Sequence, residues 1–165
     1  MARIRPVERE DAQSLLELRF ANRDYFQRWE PDFDDPDRWY TFDGLVAWIT
    51  DGEHRFVILD DGAIAGMVAV TGVVRGAFES AMLSYFVDAE RSGRGLATAA
   101  AADAIRFAFD ELALHRLEAG TATANIASQR VLEHNGFTKV GLMRRHLRLQ
   151  GEWVDHLLWE RLAED

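Results

Sequence analysis

Ser92, Gly93, Arg94, Gly95, Leu96, Ala97 and Thr98 place a pair of glycines immediately before a predicted helix. Without a Cβ at Gly93 or Gly95, several backbone N–H groups can turn toward one anion, and the helix start adds partial positive charge. Such a nest suits a pyrophosphate. The same pattern also suits a tight, well-capped turn with no ligand. A dinucleotide fingerprint would lie near the N-terminus and carry a further glycine where Thr98 stands, and the triphosphate motif G-x-x-x-x-G-K-S/T occurs nowhere. Downstream, Asn125 and Ser128 are about one helical turn apart at a predicted helix start, so both side chains can face one cleft. Asn125 equally makes a good N-cap.

The elements that must position these groups follow from periodicity and turn chemistry. Residues 4–7 read as an edge strand, because Pro6 is tolerated there. Leu15, Leu16, Leu18 and Phe20 lie on helical spacing, and the pattern runs on toward Trp29 before Pro31 stops it. Residues 32–40 are loop-like and 45–49 suggest a shorter helix, which together make a helical flap. Strands at 55–59 and 63–70 flank Asp60-Asp61-Gly62, a hairpin signal, and a further turn falls at Arg75-Gly76. A strand over 80–87 then runs through the glycine turn into a helix over 96–114, with Ile105, Ala108, Phe109 and Leu112 as its apolar stripe. A strand over 115–123, a helix over 126–134 stopped by Asn135-Gly136, and strands over 138–149 and 153–162 around Gln150-Gly151 complete the order βααβββαβαββ. The fold class is α/β (α+β), a mixed sheet with helices on its faces.

Composition narrows the chemistry. A chain of 165 residues with 48% apolar content is expected to form one domain over 1–165. The absence of cysteine excludes disulfides, thiolate metal sites and a cysteine nucleophile, and the histidines show no metal-ligand spacing, so no metal is expected. A net charge of -9 disfavours nucleic acid and anionic membranes and favours cationic partners such as amines or basic peptides, although it serves solubility equally well. The start Met1-Ala2-Arg3-Ile4-Arg5-Pro6 lacks an export signal, and no apolar run reaches the roughly 18 residues of a membrane span. A cytoplasmic protein is expected.

Taken together, these motifs resemble the GNAT superfamily of N-acetyltransferases, whose pyrophosphate loop reads Gln/Arg-x-x-Gly-x-Gly/Ala after the fourth strand. Gly95 and Ala97 match; Ser92 stands where Gln or Arg is usual, so one side-chain contact is missing and Arg91 or Arg94 could compensate electrostatically. The run from Asn125 through Ser128 to Gly136-Phe137 is similar to the superfamily's N-x-x-S…G-F segment. The RimJ/RimL group of ribosomal-protein alanine/serine N-acetyltransferases is resembled in further places: residues 22–33 with Trp29-Glu30-Pro31, residues 73–78 with Arg75-Gly76, and residues 151–156 with Asp155-His156.

The resemblance implies a mixed, mostly antiparallel sheet of about seven strands with a splay between the fourth and fifth, and about four helices. It implies acetyl-CoA as co-substrate, with its pantetheine along Tyr85, Phe86 and Val87, backbone N–H groups there as a partial oxyanion hole, and direct transfer in a ternary complex. Asn125 would contact the coenzyme. Ser128 would stand near the leaving sulfur as hydrogen-bond donor or general acid. The superfamily's glutamate and tyrosine are replaced by Ala81, Gly120 and Leu132, and a glutamate of close relatives by Val140. Glu118 is then the nearest acidic candidate for the base, with Glu30 another; a solvated carboxylate or a water chain are the alternatives. Trp29, Glu30 and Phe33 are expected to contact the acceptor, whereas core packing is favoured for Trp39 and Trp153. Asp155 and His156 are neighbours on a strand and face opposite sides, so they do not form an acid–base pair. The implied acceptor is the N-terminal α-amine of a protein starting with Ala or Ser. A small amine (polyamine, amino acid or aminoglycoside) or a non-catalytic acetyl-CoA-binding regulatory module are the alternatives, and a homodimer is left open.

Overall fold

The computed structural model describes residues 3–165; Met1 and Ala2, where the reading for an export signal begins, lie outside the described residues. Among the described residues, β1 (Arg3–Pro6), β2 (His54–Asp60), β3 (Ala63–Val74), β4 (Ser80–Val87), β5 (Arg116–Ala122), β6 (Thr138–Leu149) and β7 (Glu152–Leu162) form one sheet in the order β1-β2-β3-β4-β5-β7-β6. Every neighbouring pair is antiparallel except β4 and β5, which run parallel. The helices are α1 (Ala12–Ala21), the single turn α2 (Arg23–Phe26), α3 (Phe42–Ile49), α4 (Leu96–Arg106) and α5 (Ile126–His134). The expected α+β class and mixed sheet are present.

Strand alternation divides the core between the two faces of the sheet. Phe56, Ile58, Val68, Val70, Leu83, Leu117 and Trp159 turn toward α4 and α5, where Ala100, Ala101, Ala104 and Leu132 meet them. Val57 and Met67 point the other way and meet Leu15, Trp39 and Leu45 of the flap. Trp159 is fully buried, and its indole N–H donates to Thr121 Oγ1 at 2.9 Å, which satisfies its one polar atom.

The parallel pairing of β4 with β5 stops early. Its register covers Ser80↔Arg116, Ala81↔Leu117 and Met82↔Glu118, after which 83–87 of β4 and 119–122 of β5 part company. Here is the expected splay. It leaves one edge of β4 without a strand partner.

The flap departs from the expected single helix running to Trp29. The chain breaks at Asn22 (φ -110°, ψ 14°), whose buried side chain has partners outside the flap. Its Nδ2 donates to Leu18 O (3.0 Å) and Asp88 Oδ1 (3.1 Å), and its Oδ1 accepts the Ala89 N–H (2.8 Å). These bonds tie the flap to the connection between β4 and α4. At its far end, Asp32 accepts the N–H groups of Gln150 and Gly151, each at 2.8 Å, and Arg148 Nε at 3.2 Å. The flap is thereby anchored to the β6–β7 turn as well.

The helix expected over 96–114 is also shorter. α4 ends at Arg106, and 107–111 follow as a π-helical turn. Trp153, expected in the core, is instead 61% exposed on β7, while Trp39 is buried as expected.

Candidate active site

A cleft of about 1420 Å³ runs through the sheet at the β4/β5 divergence, lined from one face by α4 and α5 and from the other by the flap. It brings together nearly all of the expected site: Tyr85, Phe86, Val87, Ser92, Gly93, Gly95, Leu96, Ala97, Thr98, Asn125 and Ser128, with Trp29, Glu30 and Phe33 on the flap side. Arg94 and Glu118 are the expected residues outside its lining. Arg94 turns back onto Asp60, donating to Oδ2 at 2.7 Å, so any contribution to the cleft comes from its backbone. Glu118 accepts Arg116 Nε at 2.7 Å, an ion pair that leaves its side chain 33% exposed and outside the cleft lining.

Gly93 and Gly95 have φ of 76° and 77°, left-handed conformations that side chains resist. A Cβ built on either would meet no atom within 4 Å, so both border open space. None of the N–H groups of 93–98 has a backbone acceptor among the described residues, as befits a helix start. A concave surface with unsatisfied donors fits a pyrophosphate. Arg91 also lines the cleft, held there by Asp60 and Asp88.

Asn125 is a cap in fact: its Oδ1 accepts the Ser128 N–H at 3.2 Å, while the residue lines the cleft and its Nδ2 has no partner among the described residues. Ser128 has a partner that the sequence did not announce. Tyr85 lies on the α5 side of β4, and its phenol oxygen is 2.9 Å from Ser128 Oγ and 3.1 Å from the Ser128 carbonyl, to which it can donate. Burial pushes the phenol up to about 12, with the Ser128 hydrogen bond pulling the other way. Alternation along β4 held the signal, because Ala81, Leu83 and Tyr85 share one face.

On the flap side, Arg19 is 2% exposed and donates from Nη2 to Glu30 Oε2 at 2.8 Å. Its guanidinium lies 5.2 to 5.8 Å from the ring centres of Phe26, Trp39, Tyr40 and Phe86. An aromatic box around a paired charge fixes the Glu30 carboxylate at the cleft wall. Phe33 and Trp48 pack against Trp39 with centroids 5.4 and 4.5 Å away. His146 and His156 complete this side. Asp155 points elsewhere, as strand alternation requires, and accepts the Arg145 N–H at 2.7 Å. Val140, where close relatives of the resembled group carry a glutamate, sits at a bulge of β6 outside the cleft lining.

Among the described residues no group of three or more His, Asp or Glu side chains is placed to hold a metal ion, and no helix is long and apolar enough to cross a membrane.

The chain is similar to known proteins in sequence and fold. Residues 2–138 match the family described as the acetyltransferase (GNAT) domain. The probable N-acetyltransferase YjcK of Bacillus subtilis (strain 168) is 37% identical over 98% of this chain and 94% of its own length. The ribosomal protein uS5-alanine N-acetyltransferase of Escherichia coli (strain K12) is 30% identical over 94% of this chain and 84% of its own. Among solved structures, Mycobacterium smegmatis RimJ in complex with CoA-disulfide superposes with a TM-score of 0.91 at 33% identity, covering 99% of this chain and 82% of that one.

Proposed function

The chain belongs to the GNAT acetyltransferase family and is an acetyl-CoA-dependent N-acetyltransferase of its RimJ-like group; from that premise we propose that it acetylates the N-terminal α-amine of a protein beginning with Ala or Ser. The observation that carries this reading is the continuity of one cleft from the 93–98 amides, through the sheet, to the aromatic flap wall. Such a passage lets the two substrates enter from opposite faces and meet at the β4/β5 gap, where positioning alone removes much of the barrier. A wall of Trp29, Phe33 and Glu30 suits a short terminal residue followed by extended backbone. The E. coli relative, by its name, acts on an alanine of uS5, which supports the choice of acceptor.

Acetyl-CoA supplies the acyl group as a thioester. The amides of 93–98 bind its pyrophosphate, with Asn125 Nδ2 and Arg91 beside them. The unpaired edge of β4 from Tyr85 to Val87 receives the pantetheine, and its free N–H groups polarise the carbonyl. Ser128 donates to the departing sulfur. A single sheet contributing both faces to one cleft supports treating the chain as one acetyltransferase domain.

Thiol release from acetyl-CoA, measured with peptides starting Ala or Ser and with spermidine, tests the proposal. Turnover on the peptides, with one acetyl group on the terminal amine by mass spectrometry, is expected. Turnover on spermidine alone sinks the protein-terminus reading, and coenzyme binding without turnover on any amine points to a regulatory module.

A further inference from the structure

A proton must leave the acceptor ammonium before its nitrogen can attack, yet Glu118 and Glu30 are both engaged by arginines. We infer that His156 is the proton acceptor, receiving that proton on Nε2 from the flap side of the cleft. This rests on the acetyltransferase reading above.

His156 is 3% exposed yet lines the cleft. It lies on the pleat opposite Trp159, hence on the flap face of the sheet. Its Nδ1 is 3.0 Å from the Val154 carbonyl, which can only accept, so the proton sits on Nδ1 and the lone pair of the neutral ring on Nε2. Among the described residues nothing bonds Nε2, and the nitrogen is not fully enclosed, in a residue that lines the cleft. The register places His156 opposite Ala122, the last residue of β5. The Ala122 carbonyl accepts the N–H of Asn125, the residue that caps the helix carrying Ser128. His156 and Ser128 therefore flank the same strand end from opposite faces, one facing the acceptor and the other the leaving group.

His146 stacks edge-on against His156 with centroids 5.6 Å apart, and is exposed, which provides a route to water. The other charged side chains on this side of the cleft, Arg19 and Glu30, are paired with each other, and neither Ala122 nor Met143, the strand neighbours of His156, titrates. Two protons leave the nitrogen overall. One is taken by His156 and passes by way of His146 to water. As the C–N bond forms and the C–S bond breaks, the second ends on sulfur through Ser128, so the products are the amide, the free thiol and one released proton.

The test is steady-state thiol release by His156→Gln and His156→Ala with an Ala-starting peptide and with spermidine, across pH, beside acetyl-CoA binding. Loss of general-base catalysis predicts kcat/KM lowered by about 10²- to 10⁴-fold at neutral pH with coenzyme Kd unchanged, which also shows that the variants fold. The loss should shrink at alkaline pH, where the acceptor amine deprotonates without help, and the ascending limb should move up accordingly. A variant within about twofold of the parent, or a loss equal at every pH, overturns the assignment of His156 and leaves the acetyltransferase reading standing. A parent chain that releases no thiol with either amine overturns both.

Discussion

Tyr85 remains a neutral phenol at physiological pH, since burial raises it to about 12. It therefore has one proton to share between two oxygens of Ser128. When the phenol donates to the Ser128 carbonyl, the serine hydroxyl can donate to the phenol oxygen; when it donates to Oγ, the serine proton is free for the role proposed for it at the sulfur. The two hydroxyls should act as a unit. Tyr85→Phe keeps the ring and removes this hydrogen bond, worth about 0.5–1.5 kcal/mol, and so should lower kcat by roughly 2- to 10-fold with coenzyme Kd unchanged. Ser128→Ala should cost more, and the double variant about the same as Ser128→Ala alone. Additive losses in this cycle would mean that Tyr85 acts independently of the serine. At this scale the backbone turn of the candidate site was legible, because glycines before a helix announce their own geometry. Partners brought by other strands were not: Arg116 captures Glu118 within β5 itself, but the Ser128 contact of Tyr85 needs α5 placed over β4.

The flap is held by side chains that the sequence shows without their partners. Asp32 accepts the Gly151 and Gln150 amides and Arg148, and the Gly151 amide leads in keeping its carboxyl below the usual aspartate range. A depressed folded value means that the anchor is fully present above the unfolded carboxyl's titration and is lost as pH falls through the folded value. Amide exchange at Gln150 and Gly151 should accelerate selectively on acidification through that window, before the sheet amides respond. Asp32→Ala should reproduce the loosening at neutral pH, raising KM for the acceptor peptide and leaving acetyl-CoA affinity alone. Unchanged acceptor KM would show that the flap keeps its place without Asp32. The same logic explains which elements were legible. β4, α5 and β6 were bounded correctly because alternation, a cap and a glycine stop are local signals. The break at Asn22 depends on Asp88 and Ala89, more than sixty residues away in sequence, and the early end of α4 on the π turn in which the Leu112 N–H reaches Phe107 O.

At the scale of the whole molecule, the sheet's two faces are joined by one gap in a chain of net charge -9. Net charge of -9 was plain from composition, but it could not say whether that field helps an acceptor or merely keeps the chain soluble. The proposed acceptor turns the ambiguity into a measurement. A field of this sign raises the encounter rate of a basic peptide and is screened once the Debye length shrinks to a few ångströms. Raising salt from about 0.05 M to about 0.5 M should therefore lower kcat/KM several-fold for an Ala-starting peptide rich in Lys and Arg. An Ala-starting peptide with no other charge carries only its terminal ammonium and should respond much less. kcat should be insensitive to salt for both, because the bound geometry around the gap is set by packing and hydrogen bonds. Equal falls for the two peptides would locate the salt effect in the site itself, with the Arg19–Glu30 pair the first place to look, and would leave the surface charge with no part in choosing the acceptor.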